Sequence, residues 1–245
     1  IGTQNAGLAA GGLSVAGHPN YCACSEEYNG ISWSEGNDLI NRGGQHQAGG
    51  FGTATAGVIV GGYPTNAYTE EYNGTTWTAG AALGDSGYGI AATGTQNAGI
   101  ASDGVYRADR DTELYDGTAW SETTAGIVSQ RIATAAGLQN SALIIGGLGG
   151  GPAAGNSSTT ATEHWDGSAW SVGGTLNEYK TNAGAAGTQN AALAYGGSYN
   201  VTLAAAEQYD GTSWKRSDNL ITSRTYVTGF GLQSAALAVG GSVPG

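Results

Sequence analysis

Few side chains in this sequence have much capacity for chemistry. The candidates are three histidines (His18, His46, His164), two cysteines in the run Tyr21-Cys22-Ala23-Cys24, and a glutamate that recurs as Glu26, Glu70, Glu113, Glu163 and Glu207. A structural zinc site takes four Cys or His ligands. His18, Cys22 and Cys24 offer three, and His46 is a distant fourth. The expectation is two near-surface thiols or one local disulfide, and no metal; a metal clip and an intermolecular disulfide are the competing readings. Glycoside hydrolysis needs a carboxylate pair and recognition of acidic sugars an Arg cluster, whereas the Arg residues here are dispersed. The run Gly146 to Gly151 has no following Lys-Ser or Lys-Thr, so it is a loop and not a phosphate cradle. The chain is read as non-enzymatic, with no catalytic residue and no cofactor.

The elements that must position these residues are set by repetition. The pattern [TSA]-E-x-[YW]-[DN]-G-x-x-W occurs five times, ending at Trp33, Trp77, Trp120, Trp170 and Trp214, with spacings of 44, 43, 50 and 44. A second pattern, G-x-x-x-[AS]-x-x-x-x-G-G, starts at Gly2, Gly52, Gly94, Gly137, Gly187 and Gly231, with Asp103-Gly104 replacing the Gly pair once. Each period divides into four strands. Thr225 to Gly231 exemplifies strand a, followed by a tight Gly-x-Gln-Asn turn; Ala191 to Tyr195 is strand b, before Gly196-Gly197. Ala206 to Tyr209 is strand c, and strand d surrounds Trp214. Asn-Gly or Asp-Gly between c and d predicts a two-residue type I′ hairpin. Four strands in 40 to 50 residues is the measure of one propeller blade. The predicted fold is a single all-β propeller domain over residues 1–245, of four-stranded antiparallel blades, with repeats at about 2–51, 52–93, 94–136, 137–186 and 187–230 and a partial sixth at 231–245. That makes about five blades, or six if the chain is part of a longer array.

Gly-Gly closing strand b, Glu-x-Tyr-Asp on strand c and Trp on strand d resemble the Kelch repeat over essentially the whole chain. More narrowly, the wording G-T-Q-N-A-A-L-A-x-G-G followed by T-E-x-Y-[DN]-G-T-x-W resembles Kelch-like arrays in tail-fibre or structural proteins of marine bacteriophages. That resemblance implies an extracellular or virion-associated module. The repeat misses the sialidase Asp box, S-x-D-x-G-x-x-W, because Tyr stands at the Asp position. Galactose oxidase also resembles this family, but its copper site needs His and Tyr ligands with a cross-linked Cys, and the three His here are scattered.

Period-2 alternation on strand c puts Glu207 and Tyr209 on one face. Tyr28, Tyr72, Tyr115, Trp165 and Tyr209, with the five strand-d Trp residues, are expected to fill the space between blades. A partly buried Glu needs a partner. Arg42, Arg131, Lys180 and Arg224 fall nine to eleven residues after a blade Trp, so repeated Glu-to-cation staples are predicted.

Loop variation is confined to one face. From the second Gly of the pair to the strand-c Glu, the b–c loops span 14, 8, 9, 16 and 10 positions, whereas Trp to the next repeat Gly is 17 in four cases and 19 in one. Loops on a rigid scaffold are where recognition is usually placed. The candidate binding residues are His18, Tyr21, Tyr63, Tyr106, Arg107, Arg110, Asn156 and Tyr199 from the b–c loops. Tyr88, Tyr179 and Tyr226 join them from the d–a side, where inter-blade filler is the equal alternative.

The expected partners are a surface glycan, a protein receptor, other virion or appendage subunits, or a second copy. The alternatives are a purely architectural spacer and a propeller enzyme acting on carbohydrate. A net charge of −11 with 8 basic side chains excludes a nucleic-acid surface. No apolar run is long enough for a spanning helix and the opening residues do not resemble a secretory signal, so the chain reads as soluble. With no Met anywhere, it is expected to be processed or part of something longer. If five blades close the ring, the b-c-d set from Ala6 is completed by the last strand a. Ser234 to Gly241 is then a surplus strand that pairs elsewhere, in a further blade or between protomers.

Overall fold

The computed structural model describes residues 1–13, 21–41, 47–64, 67–105, 110–149 and 157–244. All its regular structure is β. Five four-stranded antiparallel sheets follow one another, each with strands a, b, c and d side by side in chain order. Blade 1 is Gly2–Thr3, Ala6–Ala10, Ser25–Tyr28 and Trp33–Glu35, and blade 2 is Gly49–Thr53, Ala56–Val60, Thr69–Tyr72 and Trp77–Ala79. Blade 3 is Ala91–Thr95, Ala98–Ser102, Thr112–Tyr115 and Trp120–Glu122. Blade 4 is Thr134–Leu138, Ser141–Ile145, Thr162–Trp165 and Trp170–Val172; blade 5 is Gly184–Thr188, Ala191–Tyr195, Ala206–Tyr209 and Trp214–Ser217. The last two strands, Thr225–Leu232 and Ala235–Ser242, pair only with each other among the described residues.

Successive a strands lie against one another, and Thr225–Leu232 sits between those of blades 5 and 1. The molecule is a β-propeller of five full blades with a two-stranded sixth sector. Blade 1 carries its own strand a, Gly2–Thr3, so the final strands are not consumed in completing it. This corrects the expected five-blade closure. Side-chain fit confirms the register. Phe51 on strand a of blade 2 covers Gly99 of blade 3, where a Cβ would lie 2.3 Å from its ring; Phe230 of the final hairpin covers Gly7 of blade 1 in the same way, at 2.5 Å.

No single core runs through the ring. Buried clusters form one per junction, exemplified by Val58, Phe51, Ile90 and Tyr115 between blades 2 and 3, and by Leu143, Ile145, Tyr209 and Trp214 between blades 4 and 5. The expected aromatic pairs stack within each blade, at 4.8 Å for both Tyr115 with Trp120 and Tyr209 with Trp214. In blades 2, 3 and 5 the strand-c Tyr hydroxyl then reaches strand c of the preceding blade. Tyr72 donates to Glu27 and Tyr115 to Glu71, while Tyr209 pairs with His164 at 2.7 Å. Blade 4 has Trp165 in place of Tyr, and its neighbour at the acceptor position is Leu114, which packs on the Trp165 cluster.

A polar clamp reinforces the junctions from blade 2 onward. The Gln of the a–b turn donates from Nε2 to two carbonyls of the preceding blade, one on strand b and one on strand c. Gln139 reaches Gly99 O at 2.9 Å and Tyr115 O at 2.7 Å, and Gln189 reaches Ala142 O at 2.9 Å and Trp165 O at 2.7 Å. Gln96 and Gln233 do the same to blades 2 and 5. The turn can present Gln there because its Gly has φ near +105°. At Gly137 a Cβ would lie 2.2 Å from Ser141 O, so no other residue fits.

The c–d connection differs from the expected type I′ turn. The flanking pairs are Tyr72↔Trp77 and Tyr115↔Trp120, which leaves a four-residue loop. Within it only Gly74 and Gly117 have positive φ. The Asx oxygen replaces the second left-handed residue: Asn73 Oδ1 accepts the N–H of Thr75 and Thr76, and Asp116 Oδ1 those of Thr118 and Ala119.

Replacing Gln139 with Ala leaves two half-buried carbonyls unpaired, so it is expected to lower unfolding free energy by about 1 to 3 kcal/mol. Exposed Gln4 makes no clamp, and Gln4→Ala is expected to cost less than about 0.5 kcal/mol; denaturant titration of both variants checks this. The Asx loops also predict an acid limb. Hydrogen bonds to Thr118 and Ala119, and to Ala169 and Ser168, hold Asp116 and Asp166 below the ordinary 3.8. Ser213, Lys215 and Thr212 do the same for Asp210. Their contribution is complete above the unfolded value and is lost as pH falls through the depressed folded values. A triple Asp-to-Asn variant at 116, 166 and 210 keeps the acceptor oxygen. It is expected to show a flatter loss of thermal stability below about pH 4.

Candidate functional site

The b–c and d–a loops share one face, and the structure gathers most of the described candidates there. Tyr21 from the b–c loop of blade 1 lies against Tyr63 from that of blade 2, with ring centroids 5.9 Å apart. Tyr63 also meets Tyr88 edge-on at 5.3 Å. A second group forms between blades 4 and 5, where Tyr179 and Tyr199 lie 4.7 Å apart. Tyr63, Tyr179 and Tyr199 are each about 40% exposed, so these rings present area to solvent instead of filling the blade junctions. Tyr88 is half-buried and bridges Val105 through its backbone.

Arg110 belongs to neither group. Its amide donates to Asp103, and its charge favours ionisation of Glu163, whose carboxyl is pushed up by burial. His18, Tyr106, Arg107, Asn156 and Arg42 lie outside the described residues. Cys22 and Cys24 are joined as a disulfide. Among the described residues no group of three or more His, Cys, Asp or Glu is placed to hold a metal ion.

The glutamates take main-chain partners that the sequence did not indicate. Four of them, Glu70, Glu113, Glu163 and Glu207, are buried, and each accepts main-chain N–H groups of the loop leading into its own blade. Glu70 takes Ile40 and Asn41, Glu113 takes Gly84, Glu163 takes Ile127 and Val128, and Glu207 takes Asn177. Lys180 does lie 3.9 Å from Glu207. Its ammonium, pulled down by burial and supported by that carboxylate, donates to Ala205 O at 3.0 Å. The equivalent position in blade 4 is Gln130, not Arg131, and Gln130 donates to Gly146 O and Ala161 O. Arg224 donates to Gly240 O. The shared role is therefore to cap carbonyls where strand b ends and strand c begins, a task that needs donors and no charge.

Sequence reasoning missed a ring of left-handed residues at the entrance to strand a. Gln47, Gly89, Ile132, Asn182 and Tyr226 have φ between +52° and +65°. Each N–H donates to the carbonyl of its counterpart one blade earlier, from Gly89 to Gln47, Ile132 to Gly89, Asn182 to Ile132 and Tyr226 to Asn182. Gln47 Nε2 and Asn182 Oδ1 meet across the ring at 2.9 Å. These positions fall twelve residues after a blade Trp, or fourteen in blade 1, but share no residue type. Strain in non-Gly residues concentrates at functional positions, and Ile132 and Tyr226 are bulky residues in a region that costs about 1 to 2 kcal/mol each.

Comparison with solved structures matches the β-propeller YjhT with a TM-score of 0.74 and 11% sequence identity, over 100% of this chain and 92% of that one. At that identity the likeness is one of fold. No protein-family model matches the chain, and no curated protein matches it.

Tyr226 is half exposed and left-handed, so Tyr226→Gly is expected to raise unfolding free energy by up to about 1 kcal/mol. An unchanged or lower denaturation midpoint would show that Tyr226 is held without strain.

Proposed function

We propose that this chain is a non-enzymatic recognition module that binds an uncharged glycan or a protein surface through the face carrying the b–c and d–a loops. The observation that carries this reading is the pair of exposed tyrosine groups, Tyr21 with Tyr63 and Tyr88, and Tyr179 with Tyr199, each assembled from different loops. Tyr gives large, rigid, amphipathic contact area at low entropic cost, and its ring faces suit sugar C–H groups. The net charge of −11 disfavours anionic ligands. The Kelch-like wording of the repeat, with its likeness to phage tail-fibre arrays, supports an extracellular or virion-associated setting.

Glycan-array and host-surface binding of the purified chain tests the proposal. Tyr63→Ala and Tyr199→Ala are each expected to weaken binding about tenfold, the equivalent of one buried aromatic contact, with thermal stability unchanged. Absence of binding to any glycan or surface protein, or binding indifferent to both substitutions, overturns it.

A further inference from the structure

Three main-chain bonds hold the end of the b–c loop in blade 1, where Cys22, Ala23 and Cys24 lead into strand c. Cys22 N donates to Gly12 O at 3.0 Å, Gly11 N to Cys24 O at 2.9 Å, and Leu39 N to Ala23 O at 2.7 Å. The same three recur in blade 4, where Thr159 N reaches Gly147 O, Gly146 N reaches Ala161 O and Leu176 N reaches Thr160 O. They recur again in blade 5, from Leu203 N to Gly197 O, Gly196 N to Ala205 O and Leu220 N to Ala204 O. Neither of those blades has a cysteine. The path of this loop end therefore does not depend on the Cys22–Cys24 disulfide, and a cross-link that encloses a single residue constrains the unfolded chain least.

The two sulfurs are not equivalent. Cys24 is exposed and Cys22 is half-buried. The amide of Cys24 donates to Cys22 Sγ at 3.1 Å. The repeat builds this contact too, since Ala161 N donates to Thr159 Oγ1 at 3.0 Å in the matching place of blade 4. An N–H aimed at a sulfur stabilises negative charge on it and makes it the better leaving group in exchange. Exposure thus directs attack to Cys24, and the amide favours departure of Cys22.

We infer that Cys22–Cys24 is a thiol–disulfide exchange site, at which an external thiol becomes attached to Cys24. The incoming thiolate attacks Cys24 Sγ. As the new S–S bond forms, the bond between Cys22 and Cys24 breaks, and its electron pair leaves on Cys22 Sγ, where the Cys24 amide meets it. One disulfide replaces another, so no further oxidant or reductant is consumed. In the reverse step Cys22 Sγ attacks Cys24 Sγ and expels the external thiol as thiolate. The three main-chain bonds keep both residues in place for that return. The modified loop is the one that carries Tyr21 against Tyr63.

The test is incubation of the folded, oxidised chain with glutathione, a rapid quench with N-ethylmaleimide at a series of times, and peptide mapping by mass spectrometry. Glutathione on Cys24 with maleimide on Cys22 is expected to exceed the converse product by at least about tenfold. The fully reduced chain is expected to stay folded, with its thermal midpoint lowered by no more than about 5 °C. A transplanted pair, Thr159→Cys with Ala161→Cys in a Cys22→Ser and Cys24→Ser background, is expected to close and to take up glutathione at position 161. A disulfide that reacts only in denaturant overturns the inference, and so do equal or reversed adducts, or loss of the fold on reduction. A transplanted pair that stays open in the folded chain, or exchanges equally at both sulfurs, also overturns it.

Discussion

Everything in this propeller depends on the junction between neighbouring blades. A four-stranded sheet of small residues cannot bury itself, and the apolar clusters here form between blades instead of inside them. Apolar contact alone is not directional, so it would allow one blade to slide along the next. The Gln clamp removes that freedom. Its amide spans a strand-b and a strand-c carbonyl of the preceding blade, so it is satisfied in one register only. Stability in such an array is close to a sum of blade terms and nearest-neighbour terms, and the clamp belongs to the second kind. The junction of blades 1 and 2 has Ala54 at the Gln position and forgoes it. That junction keeps the Tyr72 to Glu27 bond and a cluster of Leu8, Leu39, Ile59 and Tyr72.

The side chains that meet across a junction are matched to one another within this one sequence. Where strand c offers a hydroxyl, the preceding blade offers Glu27, Glu71 or His164 to receive it. Where it offers Trp165, the preceding blade offers Leu114. A buried polar group without a partner is costly, so a repeat that loses its Tyr hydroxyl is expected to lose the acceptor too. Burial and the nearby Glu27 push the Tyr72 phenol up to about 12, which keeps it a donor throughout the physiological range.

Strand positions were legible because they rest on residue identity. Ala191–Tyr195 and Ala206–Tyr209 have the bounds read from the sequence, since the Gly pair and the Glu-x-Tyr pattern mark their ends directly. Partnership was less legible. Gln in Gly-x-Gln-Asn reads as a turn residue, and only coordinates show its amide crossing to another blade. Counting from Trp to the nearest cation chose Arg131, one position beyond Gln130, which has the role of Lys180. The left-handed ring was invisible for a different reason: its geometry is imposed by main-chain bonding between blades, and Gln, Gly, Ile, Asn and Tyr carry no common signal for it. Loop-length variation and residue type marked the loop tyrosines as candidates, but not which rings meet: that Tyr21 lies against Tyr63 and Tyr179 against Tyr199 depends on how neighbouring blades are set side by side.

The ring and the sixth sector share one hairpin. The run of main-chain bonds goes from Gln47, ahead of blade 2, through Gly89, Ile132 and Asn182 to Tyr226, and among the described residues it does not continue from the sixth sector past blade 1 to blade 2. Tyr226 and the free edge strand Ala235–Ser242 belong to one hairpin, in which Thr225 pairs with Ser242. That hairpin is held on one side by Tyr195, whose hydroxyl reaches Leu237 O, and by the Gln233 clamp, and on the other mainly by Phe230 over Gly7. It is therefore well anchored to blade 5 and thinly anchored to blade 1. Tyr226 therefore takes its main-chain order from the blade 5 side, through the bond of its N–H to Asn182 O.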